Sequence, residues 1–128
     1  MNIGIKGIAE DIVSKTNTAD SMGSGRIAVY ATPCMVALME EAAQSSVAPF
    51  LEEGLSTVGT KLNIEHLSAT PVGMKVRAES ELTEIDGRRL VFKVTAYDEC
   101  GMIGQGEHER FIIKFDRFME KAASKSAG

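Results

Sequence analysis

At 128 residues, with 44% hydrophobic and 25% charged positions and only 3 prolines, the chain has the balance of one globular domain and not of a disordered or fibrous one. A net charge of −4 without any block of like charge leaves no electrostatic footprint for nucleic acid or an anionic membrane surface. Cys34 and Cys100 lack CxxC spacing, which excludes a disulfide scaffold and a zinc ribbon, and no segment approaches the ~20 apolar residues of a membrane span. The expectation is a single domain over 1–128, soluble and cytoplasmic, with no metal, no nucleic-acid partner and no membrane partner.

In chain order, residues 1–14 supply one strand, with Ile8, Ile12 and Val13 as candidate buried contacts. "KTNTADSMGSG" is small and polar and reads as a loop; Arg26 is followed by Ile27-Ala28-Val29, so it is not a phosphate-binding loop. A long helix follows, with Thr32 as N-cap, Pro33 at the first helical position and apolar spacing continuing to about Leu51, near Pro49 and Gly54. From Ser56 the period changes to two. "TVGTKLNIEHL" places Val58, Thr60, Leu62, Ile64 and His66 on one face and Gly59, Lys61, Asn63 and Glu65 on the other. "TPVGM" turns the chain, and Met74–Ile85 and Arg88–Asp98 form two strands around Asp86-Gly87, the strongest hairpin signal present. A strand over Met102–Phe115 and a helical tail, "DRFMEKAASK", complete the chain. One long helix followed by consecutive strands predicts an α+β arrangement on an antiparallel sheet.

The long helix carries two adjacent glutamates. With about 100° per residue, Val36, Leu38, Met39, Ala42, Ala43 and Val47 fall on one half of the helix, Glu41 on the opposite half and Glu40 at the margin of the apolar face. Glu40 is either a boundary residue reaching water or a carboxylate tuned in a cleft for nucleophilic or acid/base work. His66 lies on the strand face expected to meet the helix, within reach of such a role or as a satisfied core histidine. His108, in "GEHER", is assigned to the far end of the hairpin series. Thr32 has a capping role, and a hydroxyl there also lies beside unpaired backbone N–H groups that can hold an oxyanion. Cys34, in the first helical turn, is a rival nucleophile, but it falls at about 260° on the wheel, away from the apolar seam. Gly59, Gly104 and Gly106 interrupt strands, as glycines do at bulges or where a backbone or ligand approaches closely.

Taken in order, "ATPCMVALMEEAA", "TVGTKLNIEHLSATPVGMKV", "DGRRLVFKVTAYDE" and "IGQGEHERFII" resemble the hotdog-fold thioesterases related to fluoroacetyl-CoA thioesterase, from about Thr18 to Phe118. The resemblance implies a hotdog fold, one long central helix wrapped by a single antiparallel β-sheet. In that family the reactive groups are a threonine at the start of the helix, a glutamate eight residues later and a histidine in the following strand; Thr32, Glu40 and His66 stand at those positions. Gly59 in "VGT" matches an active-site glycine, and Arg110 in "HER" an arginine associated with that glycine's region.

The implied reaction is hydrolysis of an acyl-CoA thioester, with no cofactor because coenzyme A is part of the substrate. Glu40 would attack the carbonyl or activate water, His66 would act as base and proton donor, and Thr32 with helix N-terminal amides would support the carboxylate and the developing oxyanion. The resemblance further implies a homodimer, or a tetramer built from two, with the active site near the subunit interface. One departure concerns the segment before the threonine, where fluoroacetyl-selective members carry phenylalanines that form a hydrophobic lid. "SMGSGRIAVY" has glycine and arginine there, which implies a broader or different short-chain acyl group. The competing reading is a non-catalytic acyl-CoA-binding or regulatory hotdog domain; a hydratase on this fold would carry a different helix motif.

Overall fold

The computed structural model describes residues 1–126. The chain runs β1 (Lys6–Ile12), a one-turn helix α1 (Ala19–Met22), α2 (Thr32–Val47), β2 (Leu55–His66), β3 (Lys75–Asp86), β4 (Arg89–Asp98), β5 (Gly101–Lys114) and α3 (Phe115–Ala123). The β3–β4 hairpin turns at Gly87, whose φ of +61° is a left-handed conformation that a residue with a Cβ adopts at a cost. The strands form one antiparallel sheet in the order β1-β3-β4-β5-β2, so β2, second in sequence, ends as an edge strand after α2 has crossed the sheet. This is the α+β arrangement the sequence predicts.

The period-two strands and the apolar stripe of α2 meet in one core. Met35, Leu38, Met39, Ala42, Ala43 and Val47 of α2 pack on Val76, Ala78, Leu82, Leu90, Phe92, Val94 and Ala96. Truncating a wholly buried anchor such as Phe92 to alanine costs on the order of 3–5 kcal/mol in transfer and cavity terms. Glycines in β5 set how closely it approaches α2 and β2. A Cβ on Gly104 would lie 2.7 Å from Met35 Sδ and 2.8 Å from the Glu65 carbonyl, and one on Gly106 would meet the Asn63 carbonyl. These two glycines therefore serve close packing and not ligand approach.

Several expectations shift. In β1 the inward positions are Gly7 and Ala9, paired with Ser80 and Ala78; Ile8 and Ile12 point outward and are 55% and 52% exposed, while Val13 is buried as expected. The N-cap of α2 is Ala31, and Thr32 is the first helical residue, its hydroxyl directed to a different partner from the backbone. The helix ends at Val47, because Pro49 lies in a 3-10 turn over Ala48–Phe50. In β2 the pairing with β5 shifts between Gly59 and Lys61, leaving Thr60 as a bulge. Strict alternation therefore fails: Gly59, opposite Arg110, and Leu62, opposite His108, lie on the same inward face as Ile64 and His66. β5 lies beside β2, so His108 belongs to this inner face and not to a remote end of the sheet.

Candidate active site

The N-terminus of α2 brings the first pair together. Thr32 Oγ1 and His66 Nδ1, the latter on the last residue of β2, are 2.7 Å apart. The other ring nitrogen, Nε2, is buried without a hydrogen-bond partner among the described residues. Burial lowers the His66 pKa, an effect that the nearby Ser68 carbonyl opposes, so the imidazole is neutral and able to accept a proton at neutral pH. Of the amides at this helix end, Pro33 has no N–H, and Cys34 and Met35 both donate to the Ala31 carbonyl at 3.0 Å. The donors left for an oxyanion are thus the Thr32 hydroxyl and the Thr32 N–H, a narrower set than the sequence predicts. A cavity of ≈ 250 Å³ opens here, lined by Val29, Tyr30, Thr32, His66 and Leu67 among others.

Two turns along the helix a second group forms. Glu40, whose side chain is 38% exposed, places Oε2 at 3.7 Å from Arg110 Nη1, and the Arg110 side chain is 7% exposed. Arg110 Nε donates to Thr57 Oγ1 at 2.9 Å and Nη2 to the Thr57 carbonyl at 3.0 Å. Burial pushes the Arg110 pKa down, and the Glu40 charge opposes that shift. Gly59 leaves room for this contact: a Cβ there would sit 2.8 Å from Glu40 Oε2, 3.1 Å from His108 Cε1 and 3.3 Å from Arg110 Nη1. Glu40, Gly59 and Arg110 therefore meet, and His108 joins them, a residue that sequence reasoning set aside.

The two groups lie apart along β2, one at its last residue and the other near its middle. His66 lies seven positions beyond Gly59, a span of roughly 20 Å at about 3.3 Å per strand residue once the bulged Thr60 is discounted. Thr32 and Glu40 are eight residues apart on α2, about 12 Å along the axis. One chain therefore unites Thr32 with His66 and Glu40 with Arg110, but does not unite the two pairs. Cys34 belongs to neither. Its thiol pKa is raised by burial and by the Asp11 charge, the opposite of what an activated nucleophile needs. A cavity of ≈ 710 Å³ lies among Lys6, Ser46, Ser80, Lys93 and Tyr97 and is lined by none of these groups.

A family profile for the fluoroacetyl-CoA-specific thioesterase matches residues 13–116. The chain belongs to that family. The fluoroacetyl-CoA thioesterase of Streptantibioticus cattleyicolor is 42% identical over 98 residues, 77% of this chain and 70% of that protein. A solved structure of the fluoroacetyl-CoA thioesterase superposes with a TM-score of 0.91 at 34% identity, covering 98% of this chain and 97% of that one. A hot-dog-like protein from Thermanaerovibrio acidaminovorans superposes with a TM-score of 0.88 at 22% identity, covering 100% of this chain and 94% of that one, and shows the fold alone. The chain is a hotdog-fold thioesterase, and the reaction class that goes with the family is hydrolysis of an acyl-CoA thioester. Among the described residues no helix is long and apolar enough to cross a membrane.

Proposed function

We propose that this thioesterase hydrolyses small acyl-CoA substrates in a site assembled from two subunits, without selectivity for the fluoroacetyl group. The observation that carries the reading is the separation, along an exposed edge strand, of Thr32 and His66 at its end from Glu40 near its middle. Lys61, Leu62, Asn63 and Glu65 of β2 are exposed, and only one side of the strand is paired, a template for strand addition. A two-fold axis through Asn63 would pair Leu62 with Ile64 of the partner subunit and keep inward residues opposite inward residues. Across the Thr60 bulge, the same register sets His66 of the partner subunit opposite Gly59. Directly opposed strand residues have Cβ atoms about 5 Å apart, so the imidazole would come within side-chain reach of Glu40.

In that arrangement the Thr32 hydroxyl and N–H take the thioester carbonyl oxygen as negative charge develops on it. The Glu40 carboxylate attacks the carbonyl carbon or takes the proton of an attacking water. The carbon–sulfur bond breaks and coenzyme A leaves as the thiolate; neutral His66 relays to it the proton that water gives up, taken from the Glu40 carboxyl or from the water that hydrolyses the Glu40 anhydride. The ≈ 250 Å³ cavity beside Thr32 and His66 is in keeping with a small acyl group. The segment over residues 21–30 supports breadth: its only aromatic residue, Tyr30, is 1% exposed and part of the core, and Ile27 points outward at 68%. A cytoplasmic setting accords with the free thiols of Cys34 and Cys100.

Complementation tests the shared site. Glu40→Ala and His66→Ala should each be inactive, and mixing them after subunit exchange should restore about a quarter of wild-type activity, because half the dimers are mixed and each of these has one intact site. Recovery of none, with exchange verified by mass, refutes the two-subunit site. Release of no coenzyme A from folded wild-type protein by a panel of short, branched and aromatic acyl-CoAs refutes the hydrolysis itself.

A further inference from the structure

His108 is wholly buried, yet both its ring nitrogens are engaged, and their partners dictate its chemical form. Nδ1 lies 2.9 Å from the Lys61 carbonyl, which only accepts, so Nδ1 carries the hydrogen. Nε2 lies 3.1 Å from Arg110 Nη1, which only donates, so Nε2 must be the bare lone pair. A second proton on this ring would face the guanidinium with nothing to accept it. Burial and the Arg110 charge both lower the imidazole pKa, while the backbone bond to Lys61 and the charges of Glu40 and Glu109 oppose them. Position and tautomer therefore agree on a neutral histidine that acts as an acceptor.

The contact matters because of what else holds Arg110. Thr57 takes Nε and Nη2. The remaining nitrogen, Nη1, faces Glu40, and His108 alone among the described residues hydrogen-bonds it. Lys61, the other anchor of the ring, immediately follows the bulged Thr60 that brings Gly59 opposite Arg110. One imidazole thus ties the bulge to the guanidinium.

We propose that His108 is a positioning residue for thioester hydrolysis: tethered to the Lys61 carbonyl, its Nε2 lone pair orients Arg110 Nη1 toward Glu40 and thereby sets where the Glu40 carboxylate stands. The proposal rests on Glu40 being the reacting carboxylate.

The test compares two amides at position 108 and a double-mutant cycle with Arg110→Met, reading kcat and KM for acetyl-CoA. His108→Asn keeps a donor at the Nδ1 position for Lys61 but falls short of Arg110; His108→Gln extends an oxygen to the Nε2 position. We expect kcat to fall at least ~10-fold in His108→Asn with KM within about threefold, and to recover to within about threefold of wild type in His108→Gln. In the Arg110→Met background, His108→Asn should change kcat less than about twofold, since its path to Glu40 is already cut. Wild-type kcat in His108→Asn overturns the proposal, as does a full multiplicative loss in the double variant. Circular dichroism and thermal melts establish that each variant is folded. Should His108→Asn not fold, His108→Gln decides alone: a kcat loss of ~10-fold or more in the folded protein overturns the proposal, and retention supports it. Glu40→Gln is assayed in parallel, and wild-type turnover there locates the failure in the Glu40 reading and not in the role of His108.

Discussion

Replacing Gly59 by alanine isolates the geometry of Glu40 from the stability of the fold. The added methyl would stand 2.8 Å from Glu40 Oε2, 3.1 Å from His108 Cε1 and 3.3 Å from Arg110 Nη1, all inside the ~3.5 Å at which nonbonded heavy atoms rest comfortably. His108 is wholly buried and Arg110 is held by Thr57, so neither yields readily. The Glu40 side chain, 38% exposed, is the movable neighbour, and relief requires its oxygen to retreat by roughly 0.5–1 Å. A displacement of about 1 Å at a reacting group costs up to ~100-fold in rate, so we expect kcat to fall ~10–100-fold. The backbone should tolerate the change, because Gly59 is not among the glycines with positive φ and alanine is favoured over glycine in a strand by about 0.5–1 kcal/mol. The melting temperature should then move by less than about 4 °C. Thiol release from acetyl-CoA and differential scanning fluorimetry provide the two readings. Full activity in Gly59→Ala would refute the reasoning, and so would a loss of activity that merely tracks unfolding.

Other outcomes follow from the same geometry. Thr32→Val removes the hydroxyl that meets His66 Nδ1 and should lower kcat ~100-fold, whereas Thr32→Ser retains the hydroxyl and should stay within about 10-fold of wild type, both measured under saturating acetyl-CoA. Cys34→Ala should keep kcat within about twofold, since burial holds its thiol pKa up; an inactive but folded variant would restore the cysteine as nucleophile. Asn63→Lys would place two ammonium groups on the proposed two-fold axis and should shift sedimentation toward monomer at low salt, with high salt restoring the dimer. Burial lowers the pKa values of His66 and His108 below the ordinary 6.5, so below that pH the unfolded chain binds protons first. Calorimetric stability should accordingly hold above about pH 6.5 and fall as the pH drops toward 5. A flat profile through that window contradicts neutral burial of the two rings.

Much of the arrangement was legible in the chain itself, and the reason is local. The stripe of α2 separated Glu40 from Glu41 by angle alone, and the structure finds Glu41 exposed and Glu40 at the margin. The Asp86-Gly87 turn announced its hairpin, and the ordered motifs around Thr32, Glu40, His66, Gly59 and Arg110 pointed to the hotdog thioesterases. The first two signals depend on spacings within one helix or on turn chemistry that needs no distant contact, and the third on the order of short motifs along the chain.

What tertiary structure alone decided depends on register and on neighbours remote in sequence. Thr60 leaves no mark as a bulge, yet that one unpaired residue reverses which face Gly59 occupies, because side chains in a strand alternate with period two. His108 looked remote until β5 was found between β4 and β2, 47 residues from the carbonyl that fixes its tautomer. The separation of the Thr32–His66 pair from Glu40 is of the same kind, since the length of β2 between Gly59 and His66 keeps the two groups apart within one chain.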